Sequence, residues 1–119
     1  MFFSNKNEEQ STFIFHGDKI AIIKRNDGLF VSIKHLTKGM GLNWPAQWAK
    51  IKRNNSSFNS IKISLNTCSG LQVHCCLRAS KINAWIESIK SCKIENNAKK
   101  KIVIYKNSFI YKLNEFTSD

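Results

Sequence analysis

A single proline among 119 residues, with 42% apolar residues, excludes a disordered chain. No apolar run reaches the length of a membrane span. The opening Met1-Phe2-Phe3-Ser4-Asn5-Lys6 has no hydrophobic signal core and no cleavage pattern, so a cytoplasmic protein is expected. Phosphate-loop chemistry is missing too: Gly39 and Gly41 lack a third glycine and a strand-to-helix setting. There is no nucleophile elbow, no paired Cys-His signature and no zinc-protease motif. Only eight acids are present, none paired for acid–base work, and neither His35 nor His74 has a neighbouring carboxylate to orient it. Non-enzymatic function is therefore expected, with no catalytic residue and no cofactor; both histidines read as surface or packing residues.

The four cysteines (Cys68, Cys75, Cys76, Cys92) include no Cys-x-x-Cys pair. Cys75 and Cys76 are adjacent, so on a strand they point to opposite faces. Free buried thiols in a reducing compartment, and no metal, are the expectation. The shortage of acids leaves a formal net charge of +11. That suits polyanions or an acidic protein partner. The charge is spread evenly over both halves, with no basic arm.

At this length one domain is expected, at residues 12–117, behind a flexible terminus at 1–11. Phe13-Ile14-Phe15, the turn His16-Gly17-Asp18 and Ile20-Ala21-Ile22-Ile23 read as a hairpin. Asn26-Asp27-Gly28 makes a second turn into a third strand, Leu29-Phe30-Val31. Residues 54–60 read as a polar connector anchored by Phe58. Ile61, Ile63 and Leu65 alternate with polar residues, and Leu71, Val73, Cys75 and Leu77 share one face of a partner strand. Ser80 is a candidate cap for a helix with Ile82, Trp85, Ile86 and Ile89 inward. Residues 91–97 read as a linker, with a helix beginning near Ile94-Glu95. Its stripe is Ile102, Tyr105, Phe109, Leu113 and Phe116. The fold class is α+β: two small antiparallel hairpins, or a meander, packed with about four helices.

Residues 30–53 are the centre of the chain. Ser32 can cap a first helix whose apolar face is Ile33, Leu36, Thr37 and Met40. Gly39 and Gly41 bracket its stop. Pro45 suits the first turn of a second helix. Trp44, Trp48 and Ile51 fall on one side of that helix; Gln47, Lys50, Lys52 and Arg53 fall mostly elsewhere. Such a pair is either a DNA-reading helix-turn-helix or a plain corner packed on a sheet, and the tryptophans favour the corner. A protein partner would use aromatic anchors with a polar rim, so Trp44, Gln47, Trp48, Lys50, Lys52 and Arg53 are the candidate partner-binding residues. In the DNA reading, helix 44–53 would enter the major groove.

Several blocks, weak singly, carry a resemblance in their order and spacing. They are residues 28–34; Gly41-Leu42-Asn43-Trp44 with Gln47, Lys50 and Ile51; Gly70-Leu71-Gln72; residues 76–89; and residues 95–101 followed by Tyr105-Lys106. Over residues 13–116 the chain resembles the N-terminal domain of Ant-type phage antirepressors, and more distantly the BRO N-terminal domains of large DNA viruses. The resemblance implies a protein that binds a phage repressor in the bacterial cytoplasm, keeps it off its operators and favours lytic induction, commonly as a homo-oligomer. The BRO likeness suggests DNA binding, and an inhibitor of another host protein is a further alternative. The chain departs from the pattern in ending at Asp119, without the C-terminal domain many antirepressors carry. It also has Leu77-Arg78-Ala79 where the family usually has Leu-Pro-Leu, a change expected to alter turn chemistry and not the fold.

Overall fold

The computed structural model of the protein describes residues 9–89 and 96–117. Alternation builds five strands: β1 (Glu9–Phe15), β2 (Asp18–Arg25), β3 (Gly28–Ser32), β4 (Ile61–Thr67) and β5 (Gly70–Arg78). Helices α1 (Ile33–Gly39), α2 (Trp44–Arg53) and the single-turn α3 (Asn55–Phe58) lie between β3 and β4. Helices α4 (Ala79–Glu87) and α5 (Asn96–Thr117) follow β5. The architecture is α+β. The two expected hairpins form, but β3 pairs with β5, so they join into one antiparallel sheet of order β1-β2-β3-β5-β4.

Several expectations are corrected in detail. Glu9, Gln10 and Ser11, expected to fray, are strand residues paired with Lys24, Ile23 and Ile22. The connector contains α3, whose Phe58 is buried. Ser80 does not cap α4; Arg78 holds that position and Ser80 lies in the first turn. The linker at 91–97 and the helix start near Ile94 fall mostly outside the described residues. Leu71 and Val73 share a strand face with Cys75 and Leu77, yet they are 72% and 65% exposed. Helices cover only the inner half of that β5 face.

The main core lies between the helices and one sheet face. Phe13, Phe15, Ile22, Val31, Cys75 and Leu77 meet Leu36, Ile51, Trp85, Tyr105 and Phe109 there. A smaller cluster, including Ala21, Ile23, Phe30, Leu65 and Cys76, occupies the opposite face. Cys75 and Cys76 are buried and go to opposite faces, as adjacent strand residues must, whereas Cys68, expected to be buried, is exposed. The second cluster is sheltered because the sheet curls without closing. The Gln10 side chain on β1 donates to the Asn66 carbonyl on β4 and accepts from its amide, both at 3.0 Å. The aromatic cation pairs at Phe30 sit on the same face: the guanidinium carbons of Arg25 and Arg78 are 5.3 and 4.9 Å from its ring centre. Arg78 also donates to the Asp27 carbonyl and pairs with its carboxylate at 3.7 Å, tying the end of β5 to the β2–β3 turn.

α5 docks through Ala98, Ile102, Tyr105, Phe109 and Leu113. Phe116, expected in that stripe, is 48% exposed but still touches Phe13 at 5.2 Å between ring centres. Tyr105 donates to Asp18 at 2.7 Å, and the hydroxyl sits directly over Gly39 at the end of α1. Burial, and then the Asp18 carboxylate, push the Tyr105 hydroxyl well above the ordinary tyrosine value. A Cβ at Gly39 would strike the Tyr105 hydroxyl and lie 3.1 Å from Asp18 Oδ2. Gly39 is therefore needed for close approach, while Gly41 (φ +75°) supplies the left-handed residue after α1. Gly39→Ala is expected to lower stability by about 1–3 kcal/mol, the usual range for overpacking. Urea unfolding checks it. Tyr105→Phe in the Gly39→Ala background should recover part of the loss, and no recovery would show that the hydroxyl is not the obstacle.

Candidate partner-binding surface

The two central helices are set by their caps. The Ser32 hydroxyl accepts from the His35 amide at 3.4 Å, starting α1 where β3 ends. Asn43 Oδ1 accepts from the Ala46 amide at 2.9 Å and Pro45 occupies the first turn, starting α2.

On α2, Ile51 is fully buried and fixes which way the helix faces. Trp44 and Trp48 are half-buried: each rests against the edge of the core and leaves part of its ring in solvent. Their rings stack, 5.9 Å apart and 17° from parallel, and the Lys52 ammonium lies 5.2 Å from the Trp48 ring centre. Trp44, Trp48 and Lys52 thus form a single row. The other candidates do not join it. Helical spacing puts Gln47 and Lys50 on the opposite flank of Ile51, half-buried, and turns Arg53 to the far side, exposed. Gln47 Oε1 is buried and meets no hydrogen-bond donor among the described residues. Burial, then Arg53, lowers the Lys50 pKa from its ordinary value.

The fold brings further residues to this place that the sequence reading passed over. α1 fills the gap between β2 and β5 beyond the end of β3. His35 Nδ1 accepts from the Ala21 amide of β2 at 3.0 Å, replacing a ladder bond that β3 no longer provides. On the other side, Ser32 Oγ meets His74 Nδ1 of β5 at 2.8 Å. The two imidazoles lie 4.9 Å apart. A serine hydroxyl on an imidazole can serve nucleophilic catalysis, but Ser32 has no exposed surface and acts as a helix cap. Between α1, β5 and Trp44 opens a cleft of about 540 Å³, lined by Lys34, His35, Lys38, Trp44, Gln72 and His74 together with the Gly41-Leu42 turn. Lys34, His35 and Lys38 share the polar side of α1, a spacing visible in the sequence. Their meeting with His74 depends on β3–β5 pairing, which is not.

Both histidines sit below the ordinary value of about 6.5. For His35 burial is the main cause, followed by His74 and then Lys38 and Lys34; for His74 it is burial, then Lys34. The unfolded chain therefore binds protons before the folded one as pH falls. Stability is full above about pH 6.5 and declines as pH drops through the lowered folded values. The urea midpoint is expected to fall between about pH 7.5 and 5.5, and His74→Gln should flatten that decline. An equal slope in wild type and variant would count against it.

No helix among the described residues is long and apolar enough to cross a membrane. Residues 11–117 match the family model described as the P22_AR N-terminal domain, that of the phage P22 antirepressor. No curated protein matches the chain, and no solved structure does.

Proposed function

We propose, on the premise that this chain belongs to the P22_AR N-terminal domain family, that it binds a phage repressor and prevents operator binding. Its antirepressor-like role follows from the family. The repressor contact itself, with its consequence for lytic induction, is our reading. The observation that carries it is the stacked, half-exposed Trp44–Trp48 pair with Lys52 laid along it. Two large aromatic faces, stacked and half-exposed at a surface with Lys52 against them, match the anchors of protein interfaces. The action is contact, without a chemical step.

Less supports a major-groove reader. Of Gln47, Lys50, Lys52 and Arg53, the residues that would supply base and phosphate contacts, Gln47 and Lys50 are half-buried and Lys52 leans on Trp48, which leaves Arg53 exposed on the far side of the helix. The test is a mobility-shift titration of a prophage repressor on its operator. The protein should release the DNA at micromolar or lower concentration and should not itself retard it. Undisturbed repressor–operator complexes, or direct DNA retention that weakens steeply with salt, would refute the reading.

A further inference from the structure

We propose that the cleft between α1, β5 and Trp44 is a receptor for a carboxylate-bearing, acidic peptide segment of the protein partner. The inference rests on the reading of this face as partner-binding and names the chemistry it takes.

Every side-chain polar group lining the cleft can donate. Lys34 and Lys38 bring ammonium groups, Gln72 an amide, and no Asp or Glu is among the lining residues. One hydrogen bond inside the fold fixes what His35 offers. Its Nδ1 is taken as an acceptor by the Ala21 amide, so the neutral ring carries its proton on Nε2. The Ser32 hydroxyl accepts from the His35 amide and meets His74 Nδ1 at 2.8 Å, where the His74 tautomer sets which of the two donates. His74 is only 4% exposed and borders the cleft as part of its wall. The His35 Nε2–H and the two ammonium groups line one cleft with no carboxylate among its lining residues, a donor set that suits a carboxylate. Trp44 and Leu42 add an apolar wall, so the segment should carry an apolar residue beside its acids.

His35 and Lys38 are shared with a second cavity of about 770 Å³, over Ala21 and Leu65, which adds Lys19. The acid there, Asp18, is already held by Tyr105 at 2.7 Å and Lys101 at 3.9 Å. The two cavities thus share His35 and Lys38 as lining residues. The net charge of +11 attracts any acid, so location has to be tested separately from charge.

The experiment follows fluorescence anisotropy of a labelled dodecapeptide of four Asp-Glu-Leu repeats with the full chain, at about 0.15 M salt, where exposed charges are screened. Lys34→Ala with Lys38→Ala is compared with Lys99→Ala with Lys100→Ala, which removes the same charge from α5. The cleft pair should weaken binding at least about tenfold and the α5 pair less than about twofold. Gln72→Glu, a surface change that adds a carboxylate to the cleft, should weaken it as strongly as the lysine pair. Equal losses in both lysine pairs, no effect of Gln72→Glu, no binding by wild type, or ready displacement of the peptide by a short DNA duplex would each overturn the proposal. Repressor release is measured in parallel. Release by wild type without cleft-dependent peptide binding refutes the cleft alone; cleft-dependent binding without release refutes the antirepressor reading alone.

Discussion

Phe109→Ala is expected to lower the unfolding free energy by about 3–5 kcal/mol, as large-to-small changes at fully buried aromatics do. Phe109 has no exposed surface. Its ring meets Phe15 edge-on at 5.3 Å, Phe13 at 5.6 Å and Tyr105, stacked, at 5.8 Å. Those contacts join the first strand of the sheet to the last helix. Truncation removes the aromatic pairs and leaves a cavity lined by Phe13, Phe15 and Tyr105, rings held on β1 and α5 that close in only partly. A domain of this size has about 5–15 kcal/mol in all. Phe109→Ala should therefore be near the edge of folding at 37 °C, and Phe109→Leu, which keeps most of the volume, should lose much less. Urea unfolding at constant m-value checks both; a loss below about 1 kcal/mol for the alanine variant would mean that α5 is not part of the cooperative core.

Trp44→Ala with Trp48→Ala is expected to weaken repressor binding by at least about 2 kcal/mol, roughly thirtyfold, the scale of an interface hot spot. Both rings are half-buried against the core edge, so some stability is lost as well. Phe substitutions separate the two effects. Trp44→Phe with Trp48→Phe retains most of the packing but reduces the exposed aromatic area, and should bind more weakly than wild type at nearly unchanged thermal stability. If binding follows stability across the two pairs, the tryptophans are a packed edge and not an anchor. Lys52→Ala should cost little, because a cation on an exposed ring is worth only about 0.5–1 kcal/mol.

How much of this was legible in the sequence depends on the range of each interaction. The strands around Ile20-Ala21-Ile22-Ile23 and Ile61, Ile63 and Leu65 follow from alternation and local turns, and form as read. The helix at Asn96–Thr117 was also legible, because the spacing from Ile102 to Leu113 outweighs the strand propensity of Ile102-Val103-Ile104-Tyr105. The pairing of β3 with β5 was not. It joins residues more than forty positions apart, and no local pattern encodes it. Everything that depends on that pairing was hidden with it: the Ser32–His74 contact, the approach of the two imidazoles, and the cleft. Gly39 ends α1, as its place in the sequence predicts, and it also makes room for Tyr105, 66 positions later, which no local pattern encodes. For the tryptophans the sequence leaves core and interface both open. They are at the boundary, which helical periodicity cannot express because it assigns faces and not depths.

Hydrogen exchange of the full chain, with and without a cognate repressor, locates the contact. Repressor binding should bring new amide protection in α2 (Trp44–Arg53) and along Lys34–Lys38 of α1, with the outer face of α5 unchanged. Protection confined to α5 or to the β1–β2 hairpin, with α2 exchanging as in the free protein, would contradict it.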